Sequence, residues 1–125
     1  MKISAPLLSL PLALTLSASC LAKNEITIGD LTSNPKAYEG KEIALRCIVR
    51  SADPASAYCE QNNQSVSLSA KTMDKSSLKF ALANCAKPKE SENDPRCRDV
   101  LVTAKLKSAA NPRWLDNVKL KFASK

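Results

Sequence analysis

The sequence predicts a mainly β domain with one helix: five strands that close into a small barrel stapled by two disulfides. Three observations carry that prediction. Apolar and polar residues alternate in several short runs, the period of half-buried strands. One interval, Asp74 to Cys85, instead spaces Leu78, Ala81, Leu82 and Cys85 at i, i+3, i+4 and i+7, the stripe of an amphipathic helix. Four cysteines, Cys47, Cys59, Cys85 and Cys97, follow an export-type leader, an even number suited to an oxidising compartment.

The leader comes first. Lys2 provides a positive start, Leu7 to Leu16 is a short apolar stretch, and Ser17, Ala18 and Ser19 are small. An apolar run this short falls below the ~20 residues a membrane-spanning helix needs, so residues 1–19 read as a signal peptide. Two processing routes follow. Leu16-Ser17-Ala18-Ser19-Cys20 resembles a bacterial lipobox, which implies lipidation at Cys20, although Ser17 stands where such motifs usually carry Leu. Ordinary signal peptidase would instead cut after Ala22. Residues 20–25 then form a short tether and residues 26–125 a single domain, the right length for one core. A core of that size is modest and gains from cross-links.

Along the domain, Ile26 and Ile28 suggest a short extended piece, and Asp30 or Thr32 a cap for one helical turn that Pro35 punctuates. In residues 41–50, Ile43, Leu45, Cys47 and Val49 share one face of a first barrel strand. SADPAS is a turn, Ala57–Glu60 a second strand, Gln61–Gln64 a polar turn, and Val66, Leu68 and Ala70 mark a third strand. Asp74 caps the helix. Lys87–Arg96 reads as a charged loop with two prolines. Val100, Val102, Ala104 and Leu106 alternate as a fourth strand. Trp114, Asp116, Val118, Leu120 and Phe122 share the inward parity of a fifth, with Lys119 and Lys121 on its other face.

Strand, strand, strand, helix, strand, strand is the order of an OB-fold, whose helix lies between strands three and four. The stretch from Ile26 to Arg50 resembles the entry of bacterial tRNA-anticodon-like OB-fold proteins: Asn34-Pro35, then Tyr38, then Gly40-Lys41, then the first barrel strand. Trp114 to Phe122 looks like the last strand of the same group. Here Cys47 stands where that group commonly has Gly. The resemblance implies a barrel and no particular activity.

Cys47 and Cys59 lie equidistant from Asp53, so a hairpin turning at Asp53-Pro54 would set them face to face. Cys85 ends the helix and Cys97 opens the fourth strand, with the charged loop between them. Pairing Cys47 with Cys59 and Cys85 with Cys97 is therefore the expectation among the three connectivities. Each bridge would close a loop of about a dozen residues, worth ~3 kcal/mol in the chain-entropy account. A structural zinc site would call for close C-x-x-C pairs, and these cysteines have none.

Chemistry is sparse. Histidine is absent, which removes the commonest general base and metal ligand. Two glycines are too few for a phosphate loop. Ser76-Ser77-Leu78-Lys79 matches S-x-x-K, but neither S-D-N nor K-T-G accompanies it. The carboxylates Glu90, Glu92, Asp94 and Asp99 alternate with cations, as in a solvated loop. No enzyme activity, cofactor or metal is expected.

Charge is uneven. From Lys23 to Val66 there are 5 basic and 6 acidic side chains; from Ser67 to Lys125 there are 13 and 6. The lysines of the last two strands, Lys105, Lys107, Lys119 and Lys121, are the candidate surface for an anionic partner. Tyr58 is the one aromatic in the second and third strands, and Trp114 has core parity, which argues against single-stranded nucleic acid as the ligand. The expected function is a non-catalytic binding module of the cell envelope, periplasmic and membrane-anchored if Cys20 is lipidated. Its partner would be an envelope protein, peptide or glycan, with contact to a membrane surface. The alternative is a secreted effector, or an inhibitor or immunity protein acting on an envelope enzyme.

Overall fold

The structure, a computed structural model, describes residues 25–123. The leader and the lipidation reading at Cys20 lie outside the described residues. Among the described residues, six strands and four short helices follow one another: β1 (Glu25–Ile26), α1 (Ile28–Ser33), β2 (Glu42–Arg50), β3 (Ser56–Gln61), β4 (Gln64–Ser69), α2 (Lys75–Asn84), α3 (Pro88–Asn93), α4 (Pro95–Arg98), β5 (Val100–Leu106) and β6 (Trp114–Phe122). A single 3-10 turn, Pro35–Ala37, separates α1 from β2.

The sheet order β2-β3-β4-β6-β5 closes because β5 also pairs with β2. The β4–β6 pairing is parallel and the other barrel pairings are antiparallel. This is an OB-like closed barrel of five strands. β1 adds a short parallel rung outside it, on Ala44 and Leu45. Closure removes the open edges that a small sheet would otherwise expose. Inside, Leu45, Val49, Val66, Leu68, Val100, Val102, Leu106, Leu115 and Val118 are essentially solvent-free.

β2 is shared between two partners. Residues Glu42–Cys47 pair with β5, and Ile48–Arg50 pair with β3, so the strand changes partner at Cys47. Both disulfides form as the sequence suggests, Cys47–Cys59 and Cys85–Cys97. The first is diagonal. Cys59 stands opposite Val49, not opposite Cys47, because the β2–β3 connection is asymmetric: Ser51 takes a φ of 54° and Asp53 accepts the N–H groups of Ala55 (2.7 Å) and Ser56 (2.9 Å). The Gln61 amide seals the same place. It donates to Arg46 O (2.8 Å) and accepts from Ile28 N (3.0 Å), filling the gap between the end of β3 and β1.

Several local expectations change. Ile28 is not in a strand. Thr27 and Asp30 form a reciprocal capping box, so Ile28 opens α1 and is fully buried. Lys87–Arg96 is not an irregular loop: Pro88 and Pro95 each start a short helix, where the missing N–H costs nothing. α3 docks through the buried Ser91, whose hydroxyl donates to Cys85 O (3.1 Å). On α2, Ala81 and Cys85 are buried as expected, but Leu82 is 36% exposed and Ser77 is buried in its stead. The Ser77 hydroxyl accepts from Leu120 N (3.0 Å) and reaches the Asp74 carboxylate (3.2 Å), tying the helix cap to β6.

Strand β6 carries the largest correction. Its register against β5 slips between Thr103 and Lys105, and Asn117 sits at φ 53°, so a bulge reverses the parity of everything before it. Leu115 points inward with no exposure, and Trp114 does not belong to the core. Thr72 holds the bulge open, its hydroxyl accepting from Asn117 N (2.9 Å) and its carbonyl from Val118 N (3.2 Å).

Replacing Gln61 by Ala leaves the Ile28 N–H and the Arg46 carbonyl without this partner and should cost about 1–3 kcal/mol in urea unfolding. The paired change Cys47→Ala, Cys59→Ala should cost about 3 kcal/mol in the same assay. An unchanged midpoint for both would refute the importance given to the β2 switch.

Candidate functional site

The outer wall of the barrel presents two surfaces. The first is built by β5 and β6, where the candidate lysines lie. Strand alternation puts Leu101, Thr103 and Lys105 outward on β5, with Lys119 and Lys121 outward on β6. Lys121 stands opposite Leu101, Lys119 opposite Thr103, and Lys105 opposite Asp116. Lys107 follows the end of β5, and all four lysines are exposed. The structure thus brings Lys119 and Lys121 together, roughly 7 Å apart along one strand face. Lys105 is set apart from them beside a carboxylate.

Two shallow grooves flank Lys121. One, of about 400 Å³, is lined by Asp74, Ser76, Leu101, Thr103, Lys119 and Lys121. The other, of about 260 Å³, runs past Arg46, Asp99 and Leu101. The signs are mixed. The Asp74 carboxyl is held below the usual aspartate range, first by the Ser76 hydroxyl (2.6 Å), then by the N–H and hydroxyl of Ser77, with Lys119 adding a smaller pull. Arg46 is engaged with Glu25 (3.5 Å) and Asp99 (3.4 Å). Cations and carboxylates therefore stand side by side along both grooves.

The second surface was hidden in the sequence by the β6 bulge. Register partners Arg50↔Tyr58, Tyr58↔Ser67 and Ser67↔Trp114 form one row across β2, β3, β4 and β6. Their neighbours in sequence, Val49, Ala57, Cys59, Val66, Leu68 and Leu115, are buried, so the row lies on the outer wall. Three strand spacings make it about 14 Å long. Tyr58 is 45% exposed and Trp114 half-buried, with Ser67 between them. Arg50 closes one end: its Nε lies against Glu60, off the N–H direction, and its Nη1 faces Glu92 of α3 at 3.8 Å. Arg113 flanks the other end and donates to Ser65 O (2.9 Å). The sequence signal for this row is Asn117, a residue that tolerates positive φ, inside an otherwise regular strand.

Two of the side chains singled out in the sequence are engaged with neighbours. The Ser76 hydroxyl is committed to Asp74, not to Lys79. Asp94 is occupied by Arg96, which grips it through Nε (3.0 Å) and Nη2 (2.8 Å) while stacking over Phe80 at 4.7 Å. Among the described residues no group of three His, Cys, Asp or Glu side chains is placed to hold a metal ion. Nor is any helix among them long and apolar enough to cross a membrane.

The two depressed carboxyls set an acid limit. The Asp53 carboxyl is lowered by the N–H groups of Ser56 and Ala55, and Asp74 by its serines. Their folded values lie below the ordinary ~3.9, so their stabilisation is complete above that pH and is lost as pH falls through the lower, folded values. The double variant Asp53→Asn, Asp74→Asn should therefore show a shallower loss of Tm below about pH 4 than the parent. Parallel Tm curves would contradict this assignment.

A scan against protein-family models, a search of curated proteins and a search of solved structures each find no match to this chain.

Proposed function

We propose that this chain is an exported, non-catalytic binding module of the cell envelope that holds a glycan along the outer row Arg50–Tyr58–Ser67–Trp114. The observation that carries the proposal is the placement of Tyr58 and Trp114 on either side of Ser67, on one face of three hydrogen-bonded strands. Aromatic faces pack well against the C–H faces of sugar rings, and a serine hydroxyl donates and accepts for ring hydroxyls. Two strand spacings, about 10 Å, separate the aromatic positions, room for more than one ring. The outer wall over the second and third barrel strands is also where OB-folds commonly take oligomers.

Two further facts support this reading over its rivals. The two disulfides suit an oxidising compartment, where envelope glycans are found and most nucleic acid is not. A peptide recognised by strand addition needs an open sheet edge, and the closed barrel offers little of one.

The test is binding to insoluble envelope glycan, measured by sedimentation. Tyr58→Ala and Trp114→Ala should each weaken binding tenfold or more, about 1.4 kcal/mol. Lys119→Ala should leave it within twofold, and circular dichroism should show all three folded. Wild-type retention by both aromatic variants would overturn the proposal.

A further inference from the structure

We infer that the outer row selects an uncharged glycan, and that Arg50, Glu60 and Glu92 close one end of it as a hydrogen-bonding corner for sugar hydroxyls. This rests on the reading of the row as a glycan site and adds the class of glycan. Two observations support it: the charge balance along the row, and the unused hydrogen-bonding capacity at its Arg50 end.

The row is electrically balanced, although the chain as a whole carries +7. Strands β2, β3 and β4 contain no lysine. Register sets Arg50, Tyr58 and Ser67 between two further rows, Ile48, Glu60 and Ser65 on one side and Ser56 and Ser69 on the other. The charged side chains of these rows are Arg50 and Glu60. Glu92 joins them from α3, and Arg113 and Asp116 flank Trp114. The segments that bound the rows add Asp53 and Lys71, one of each sign. Cations and carboxylates thus nearly cancel, and the basic excess of the chain lies elsewhere. A polyanion gains no net attraction along this row, and a polycation little.

The Arg50 end supplies the hold on a neutral ligand. Arg50 is the register partner of Tyr58, and Glu60 lies two residues beyond Tyr58 on the same strand face. A ring stacked on Tyr58 therefore has a guanidinium and a carboxylate at its edge. That corner is incompletely bonded. The Arg50 Nε is buried with no acceptor along its N–H. Its Nη1 stands 3.8 Å from Glu92, too far for a hydrogen bond. Glu60 and Glu92 keep 38% and 61% of their side-chain surface exposed. A guanidinium only donates and a carboxylate only accepts. A sugar hydroxyl does both, so it accepts from Nη1 while donating to Glu92, and each bond is charge-assisted. Charged sugars fare worse. A uronate carboxylate beside Arg50 meets Glu60 and Glu92 as like charges, and an amino sugar meets the guanidinium itself.

Trp114 is the one tryptophan of the chain and belongs to the row, so its fluorescence reports occupancy. The full chain, with both bridges formed, is titrated with four tetrasaccharides: uncharged tetramers of glucose and of N-acetylglucosamine, the amine form left by removing the acetyl groups, and the carboxylate tetramer of galacturonic acid. At least one uncharged tetramer should shift Trp114 emission, with a Kd that changes less than about twofold between roughly 50 and 500 mM salt. Both charged tetramers should bind at least about fivefold more weakly. Glu60→Gln combined with Glu92→Gln leaves Arg50 unopposed. It should weaken the uncharged tetramer roughly fivefold and strengthen the galacturonate roughly tenfold. Lys119→Gln should change neither. Loss of all binding together in the double variant, with its circular dichroism unchanged, overturns the corner. If that variant does not fold, the ranking by the parent decides. A charged tetramer bound more tightly than the uncharged ones overturns the inference and leaves the glycan site standing. No response of Trp114 to any of the four overturns both.

Discussion

Closure of the barrel depends on one change of partner. β2 has to pair with β5 over its first part and with β3 over its last, and the change of partner falls at Cys47. A strand paired over only part of each edge leaves ladder groups to be satisfied elsewhere and is less firmly held in register. Here the switch is pinned twice. The bridge to Cys59 fixes the diagonal between β2 and β3, and the Gln61 amide replaces the backbone partners that neither β1 nor β3 reaches. The same place is locked by a covalent bond, and a domain of modest size has reason for it.

Much of this architecture was legible because alternation is a direct readout of which side of a sheet is buried. Val49, Cys59, Leu68 and Val102 are inside for the same reason that they alternate. Errors came where backbone chemistry outranked periodicity. Thr27 and Asp30 satisfy each other's N–H groups, so a helix starts where two isoleucines suggested a strand. Pro88 and Pro95 looked like breakers, yet each sits at a helix start, the one helical position a proline suits. Asn117 adds a residue to β6 and so inverts Trp114 and Leu115.

The same inversion explains why the candidate site was only partly legible. Lysines announce themselves, because a charged residue in an alternating strand faces water whatever the register. Lys105, Lys119 and Lys121 accordingly lie outside as expected. An aromatic does not, since tryptophan suits a core or a wall equally, and one bulge decides between them. Assembling Tyr58, Ser67 and Trp114 also requires the parallel β4–β6 pairing, a contact between segments far apart in sequence that no local pattern announces.

Each sulfur bridge joins cysteines only 12 residues apart. Either alternative connectivity would need loops on average about three times longer, and closing each costs roughly 1 kcal/mol more in chain entropy. Random oxidation of the reduced chain is thus already biased toward the correct isomer. Each cysteine finds its proper mate by a shorter search than any other, so such a protein should lean little on thiol-shuffling helpers during maturation.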